Sequence, residues 1–407
     1  MLKYIDRKRQ VIKSIYTGIG KTGVIYPTSF LVAITQGMIT LGIIFYLKEY
    51  FNATPPQVGF ITALWALSYI IGCLFFRPLS DKILPRYILI SSSFIKFVLI
   101  TLLRYTGNLK VVFFLYSLYG FIIAFFWPPL VGWLSQDTEG KMLGRIMSRY
   151  NFSWSLGIII SPFLAGQLSQ INISLPLLYG SLLYLLSSIL LILAATTLPR
   201  IKEDRDTNIN TVSPKIEDHS TPMRFPAWFG IFTTYTVIGI ILNIFPLFAM
   251  ENLKLDKGTV GIIIQMRAIS STVGFIILGR LTFWHFRFSQ MVTGQIILAI
   301  MVFLLSIITN PIIIAFLVFV IGLCMALSYS NSVFHGISGS VNRAKRMAIH
   351  ESLISSGLIL GSSAGGVIYH TLSMKTLFLL CSGFVLFGAL IQWIIYLLFV
   401  SKRSTGI

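Results

Sequence analysis

The sequence predicts an all-α membrane protein, with twelve transmembrane helices in two pseudo-symmetric six-helix bundles. Three observations support this fold class: apolar stretches long enough to cross a bilayer, a repeat at half the chain length, and an uneven distribution of basic residues among the loops. Hydrophobic residues make up 55% of the 407 residues and charged residues only 11%. Soluble globular domains average about 25% charged residues, so the composition indicates a chain whose solvent is lipid.

Polar segments divide the chain into twelve apolar spans. The second span shows the pattern: Thr54 and Gln57 form a capping pair around Pro55, an apolar stretch follows, and a basic loop ends it. About twenty helical residues cross a hydrocarbon core of about 30 Å. The predicted spans are about 24–47, 56–76, 87–108, 111–134, 147–170, 175–198, 226–249, 259–279, 289–309, 311–333, 349–371 and 376–400.

The spans define the predicted domain organisation. Residues 24–199 form the first six-helix bundle and residues 225–400 form the second. Between them, residues 200–224 are rich in charged residues of both signs, which is typical of a flexible linker. Residues 1–23 and 401–407 are short polar segments at the two ends.

The two halves of the chain repeat each other. Small residues in the first half recur about 200 positions later, across three separate spans, and a constant offset of this kind indicates tandem copies of one bundle. The matching pairs are Gly59 and Gly261, Gly72 and Gly274, Gly120 and Gly322, Gly157 and Gly357, and Gly166 and Gly366.

The loop charges predict the orientation of the chain. With the N-terminus inside, the inner segments hold 24 basic residues and the outer loops hold 6. Basic loops stay in the cytoplasm, so both termini and the linker are expected there, in a multi-pass protein of the plasma membrane. The net charge of +19 arises from residues between apolar spans, which argues against a nucleic-acid partner.

The loop after the second span resembles a family signature. Residues 77–86, RPLSDKILPR, are similar to the G-x-x-x-D-R/K-x-G-R-R/K loop of the major facilitator superfamily. Asp81, Lys82 and Arg86 match the signature, whereas its glycines are replaced by Arg77 and Leu84. The resemblance implies helices around a central cavity, transport by alternating access, and a gating role for the three matching residues.

The fifth span resembles a second signature of this family. Its residues Gly157, Ser161, Pro162 and Gly166 are similar to the antiporter pattern G-x-x-x-G-P-x-x-G-G, with small residues kept where two glycines are missing. Small residues at helical spacing let another helix approach closely. The pattern is therefore explained either by helix packing alone or by an antiporter-like role.

Charged residues at membrane depth are the strongest functional candidates, because a charge there is costly. Arg267 is expected to contact substrate; Lys96 lies in a span that the resemblance places at the periphery. Glu351 is the candidate proton-coupling residue, with His350 as a modulator, unless it serves only as a helix cap or as a partner of nearby basic residues. The other candidate substrate contacts are polar or aromatic residues near the cavity: Gln36, Trp65, Trp127, Tyr235, Asn243, Gln265, Tyr329 and Asn331.

The expected function is secondary active transport of a small anionic or polar organic solute. The sequence has no metal-spaced His/Cys set, no phosphate-binding glycine loop and no Ser/His/Asp arrangement, so no enzyme activity, cofactor or metal is predicted. The expected partners are the solute, protons as coupling ion, and the lipid bilayer, with a monomeric chain. The alternatives are a proton-coupled exporter of drugs or lipids and, in another class, a membrane scaffold or sensor that does not transport.

The predicted orientation can be tested by labelling introduced cysteines from outside the cell. A membrane-impermeant thiol reagent should react with Leu255→Cys and should miss Val212→Cys, because the loop charges place position 212 in the cytoplasm. The reverse labelling pattern would show that the chain has the opposite orientation.

Overall fold

The computed structural model describes residues 20–75, 83–135, 140–202, 220–340 and 343–401. Over these ranges it is helical, and twelve helices are long and apolar enough to cross a membrane. The predicted fold class is confirmed. The helices are numbered by span: α1 Lys21–Phe51, α2 Pro55–Phe75, α3 Pro85–Tyr105, α4a Leu109–Ile123, α4b Trp127–Ser135, α5 Gly140–Ile171, α6 Leu175–Thr197, α7a Arg224–Asn243, α7b Phe245–Glu251, α8 Lys257–Arg280, α9 Phe288–Leu305, α10 Pro311–Ile337, α11 Arg343–Thr371 and α12 Met374–Tyr396.

Two spans that the sequence predicts as continuous are broken. The fourth span is interrupted between Ile123 and Trp127, just before Pro128 and Pro129, whose nitrogens have no hydrogen to donate to the preceding turn. The seventh is interrupted at Ile244 for the same reason. Both breaks therefore follow from proline chemistry, which the hydropathy pattern does not show.

Side-chain caps fix several helix starts. The Thr54 N–H donates to Gln57 Oε1 at 2.8 Å, so the glutamine half of the predicted capping pair is present. Asp256 caps α8 by accepting the Thr259 N–H at 3.0 Å, and it also accepts a hydrogen bond from Gln170 at the end of α5. The hydrogen bonds from Thr259 lower the pKa of Asp256, which lies outside the spans.

Glycines set the closest helix contacts, and the contacts repeat between the two halves. A Cβ on Gly120 would lie 2.4 Å from the carbonyl oxygen of Trp65, and one on Gly322 would lie 2.5 Å from that of Arg267. No larger residue fits at either position without movement of the backbone. Equivalent pairs are Gly157 on Phe30 with Gly357 on Phe232, and Gly166 on Lys257 with Gly366 on Pro55.

The last of these pairs joins the two bundles. Gly166 of α5 packs on the backbone of Lys257 in α8, and Gly366 of α11 packs on that of Pro55 in α2. Each hypothetical Cβ would lie 2.5 Å from the facing carbonyl oxygen, so both seams are closed backbone to backbone. These contacts lie at the outer end of the helices, the end that the loop charges predict to face away from the cytoplasm.

Ion pairs between the bundles add to this closure. Lys48 at the end of α1 pairs with Glu251 at the end of α7b, and Lys257 Nζ lies 2.8 Å from Glu49 Oε1. The hydroxyl of Tyr369 in α11 donates to Glu251 Oε2 at 2.7 Å. The structure is therefore a conformation that is closed at its outer end, and we call the two ion pairs the outer lock.

Neutralising the outer lock should favour opening of that end. A partly exposed ion pair contributes up to about 1 kcal/mol, so Glu251→Gln should open the outer end about fivefold more often. The measurement is the labelling rate of Thr62→Cys, about two turns inward from the Pro55 contact of α2, by an impermeant thiol reagent in a background without native cysteines. Lys375→Gln removes an exposed charge at the same end and is the matched control; equal rates in both variants would contradict the assignment.

Candidate functional site

Arg267 is a buried cation without an acidic partner among the described residues. It is 8% exposed, and its only hydrogen bond within those ranges runs from Nη1 to Met325 Sδ at 3.4 Å. In the same part of the chain, no acceptor lies against its buried Nε atom. Burying an unpaired charge costs several kcal/mol, so this position is suited to receive an anionic group.

The repeat equivalent of Arg267 is also an unpartnered donor. Trp65 occupies the matching position of α2, and its Nε1 is buried without a hydrogen-bond acceptor among the described residues. The carbonyl oxygens of both residues are covered by glycines at equivalent places, Gly120 and Gly322. The two bundles therefore present one unsatisfied donor each at related positions, as the sequence repeat predicts.

Glu351 lies among tyrosines from both bundles. Four tyrosines are close enough to interact electrostatically with its carboxyl group, one each from α2, α5, α7a and α10: Tyr69, Tyr150, Tyr235 and Tyr329. No ion pair of Glu351 occurs among the side chains that the structure describes. The carboxyl group is therefore placed between the bundles, in a setting of hydroxyl groups rather than of cations.

Tyr235 connects the two charged residues. Its hydroxyl is within electrostatic range of both Arg267 and Glu351. Tyr235 is therefore a neighbour of both the candidate anion contact and the candidate proton carrier.

His350 has different surroundings from its neighbour Glu351. Its ring is buried, its Nδ1 makes a 2.8 Å hydrogen bond with Ser332 Oγ of α10, and the edge of the ring faces Tyr329 with centroids 4.8 Å apart. Adjacent helix positions point about 100° apart, and here that difference directs the histidine into the second bundle. His350 as a modulator stays a prediction.

The remaining candidates divide into bonded and unbonded side chains. Trp127 Nε1 donates to Gln36 Oε1 at 2.9 Å, which joins α4b to α1. Asn243 Nδ2 donates to Ser362 Oγ at 2.7 Å inside the second bundle. Asn331 donates to its own helix, and its Oδ1 atom is buried without a donor in the described part of the chain. Tyr329 and Gln265 are half-buried.

The residues of the antiporter-like pattern pack helices together. Gly157 and Ser161 lie on α1, since a Cβ on Gly37 would lie 2.0 Å from Ser161 Oγ. Gly166 and the carbonyl of Pro162 lie on α8, where Gly261 approaches that carbonyl. The first two residues of the pattern therefore pack inside the first bundle, and the last two pack against the second bundle.

The predicted gate lies mostly outside the described residues. Asp81 and Lys82 are in the undescribed range 76–82. Arg86, at the start of α3, donates from Nη1 to the carbonyl oxygen of Ile201 at 2.6 Å, so it joins α3 to the turn that follows α6. The gating role of the three residues stays a prediction.

Tyr69 is a site residue that the sequence analysis missed. It lies four residues after Trp65, on the same face of α2, and the two rings stack with centroids 6.2 Å apart. Its spacing of four residues from Trp65 could have identified Tyr69 as a candidate from the sequence. Nothing in the sequence indicates that Tyr69 lies near Glu351, which is 282 positions later in the chain.

The sequence profile of the Major Facilitator Superfamily matches residues 25–334 and 227–406. This chain belongs to the major facilitator superfamily. The proton-coupled antiporter flippase LtaA of Staphylococcus aureus (strain NCTC 8325 / PS 47) is 24% identical over 361 residues, 83% of this chain and 85% of the relative.

Solved structures of superfamily transporters share the fold. The nucleoside transporter NupG superposes with a TM-score of 0.74 at 11% identity, over 93% of this chain and 99% of the other. An inward-facing, unoccupied bacterial homologue of the human lysosomal transporter Spinster gives 0.74 at 12% identity, over 95% and 98% of the two chains. At these identities the likeness establishes the fold alone.

Proposed function

We propose that this superfamily member is a secondary transporter that moves an organic solute with an anionic group by alternating access. The observation that carries the proposal is the buried guanidinium of Arg267, which has a thioether and no carboxylate as its described hydrogen-bond partner. A carboxylate or phosphate could pair with it through two parallel hydrogen bonds. Trp65 supplies a second donor from the other bundle.

Alternating access requires that the two bundles rock about a central site. Arg267 and Trp65 belong to different bundles, and the seams at Gly166 and Gly366 close only the outer end. A solute held between these donors would be released when the bundles reorient. The outer lock and the glycine seams are then the contacts that must part for the outward-open state.

We further propose that protons drive this transport through Glu351. A carboxyl group that alternates between a wet and a dry setting takes up and releases a proton, and rocking of the bundles could supply both settings to a residue among tyrosines of both bundles. The relative's name, a proton-coupled antiporter flippase, supports a proton as the coupling ion. Tyr235, in range of both Arg267 and Glu351, is the side chain through which solute and proton would influence each other.

A second candidate is proton-coupled export of an amphipathic lipid or drug. The relative's name favours a lipid, and the tyrosine rings near Glu351, with Trp65 stacked on Tyr69, offer apolar surface beside the charge. Reconstituted vesicles decide between the candidates, because a water-soluble anion accumulates in the lumen whereas a lipid changes leaflet. A chain that does neither would be a scaffold or sensor.

The proposal includes the membrane orientation. The twelve apolar helices and the family make the chain a multi-pass membrane protein. We expect both ends and the segment between the bundles to face the cytoplasm, because the inner segments carry most of the basic residues. The outer lock then faces the outside of the cell.

Replacing Arg267 should weaken solute binding without unfolding the protein. The purified chain is screened by thermal shift against organic acids, phosphates, neutral solutes and cations, and the strongest stabiliser serves as the test solute. Arg267→Lys should weaken binding of that solute about tenfold, because an ammonium group cannot donate the two parallel hydrogen bonds of a guanidinium group. Arg267→Ala should abolish binding.

The control for this prediction is Arg280→Gln, which removes an exposed charge from the end of the same helix and should leave binding unchanged. If the best stabilisers are cationic, or if Arg267→Ala binds as tightly as wild type, the anion contact is wrong.

Glu351→Gln should uncouple transport from the pH gradient. In proteoliposomes with an imposed pH gradient, the wild type is expected to accumulate the test solute. The variant should not, because an amide group neither takes up nor releases a proton in this pH range. Exchange of labelled for unlabelled solute needs no net proton movement, so the variant should keep it. A variant that still accumulates solute in response to the gradient would show that another residue carries the proton.

A further inference from the structure

Lys96 lies in a closed aromatic box inside the first bundle. It belongs to α3, its side chain is 0% exposed, and Nζ has no hydrogen-bond partner among the described residues. Nζ is 3.8 Å from the ring centroid of Phe126 and 4.6 Å from that of Tyr184. Both distances are within the range of cation–π contacts.

No acidic side chain pairs with Lys96 in the part of the chain that the structure describes. The elements packed against α3 are α4a, α4b and α6, and of their buried tyrosines Tyr184 contacts the amine. Tyr119 and Tyr184 bond each other through their hydroxyls at 2.7 Å. Within the described chain the aromatic rings are therefore the groups that face the amine.

Packing alone does not require an amine at this position. Taking an ammonium group out of water is unfavourable, and an apolar side chain of similar volume would fill the space without that cost. A desolvated ammonium on an aromatic face recovers part of this cost through cation–π attraction. The charge is thus compensated only if the rings stay in place around it.

One of these rings lies in the break of the fourth span. Phe126 is the last residue before α4b. Pro128 and Pro129 have no N–H to donate to the residues four positions earlier, and the chain here has turn hydrogen bonds instead, such as Phe126 N–H to the Ile123 carbonyl at 3.0 Å. The next residue, Trp127, donates to Gln36 of α1, and both are candidate substrate contacts. The equivalent helix of the second bundle, α10, is continuous from Pro311 to Ile337. The first bundle alone therefore has a hinge here.

We propose that Lys96 is a positioning residue whose ammonium group, held on the rings of Phe126 and Tyr184, fixes the hinge of the fourth span and thereby holds Trp127 on Gln36, where both can contact the solute. Lys96 acts through the angle between α4a and α4b. The last step rests on the proposed transport function, whereas the hinge itself does not.

The test measures the hinge directly in the full-length protein without any solute. Spin labels are placed at Gly132→Cys, where a Cβ meets nothing within 4 Å, and at Leu193→Cys on the exposed face of α6, in a background without native cysteines. Position 132 lies about 8 Å beyond the hinge. A swing of about 15° would therefore shift or broaden the label distance by about 2 Å.

Two perturbations remove the interaction in different ways. Lys96→Met keeps the length of the side chain and removes the charge. Trifluorophenylalanine in place of Phe126 keeps the ring and its shape but reduces the negative electrostatic potential of the ring face. This change weakens a cation–π contact and leaves a contact that depends on packing alone unchanged. We expect both to broaden or shift the 132–193 distance by about 2 Å or more.

The controls separate hinge motion from general loosening. Ser93→Ala, a buried uncharged change one turn earlier on α3, should leave the distance unchanged. A label pair at Val111→Cys and Tyr179→Cys, which spans α4a and α6 at the outer end, should not move in any variant.

An unchanged 132–193 distance in Lys96→Met overturns the proposal, as does a shift that fluorination of Phe126 fails to reproduce. If Lys96→Met does not fold, the fluorinated protein alone decides. Because no solute is involved, failure here leaves the transport proposal untouched, and failure of transport leaves the hinge result standing.

Discussion

Close backbone contact at paired glycines is the constraint on which this structure depends. Lipid offers helices no hydrophobic drive to associate, so association relies on close packing and on polar contacts. Gly157 and Gly357 bring α5 and α11 onto the first helix of their own bundle, and Gly166 and Gly366 bring the same two helices onto the other bundle. One pair of helices thus carries both the bundle interiors and the seams that transport must open.

Hydrogen bonding distinguishes the buried donors of the candidate site from a satisfied amide in the same protein. Gln295 donates to the Gly230 carbonyl at 2.9 Å and to Thr234 at 3.0 Å, and accepts from Thr233 at 3.2 Å. Arg267 and Trp65 have no such network among the described residues. This lack of partners, together with the charge of Arg267 and the repeat that relates it to Trp65, supports the proposal that a ligand binds there.

Departures from the repeat are as informative as the repeat. Trp65 and Arg267 are equivalent in position but differ in charge, so the two bundles carry different chemistry at matching places. The fourth span is broken where α10 is continuous. Trp127, just after the break, bonds to Gln36, while its equivalent, Tyr329, faces His350. A symmetric backbone therefore carries different side-chain contacts in its two bundles.

The sequence by itself determined the twelve helices, the two-bundle fold and the equivalence of Trp65 and Arg267 in the repeat. Hydropathy is a local signal and the repeat is a periodic one, so both can be recognised without a structure. Only the tertiary structure decided what surrounds each charge. The tyrosines around Glu351 come from four helices of both bundles, and the rings around Lys96 come from the break of the fourth span and from α6. Such neighbours lie far apart in the chain. Their contact depends on how each helix is rotated and on the angle at each proline break, and residue spacing does not determine either quantity.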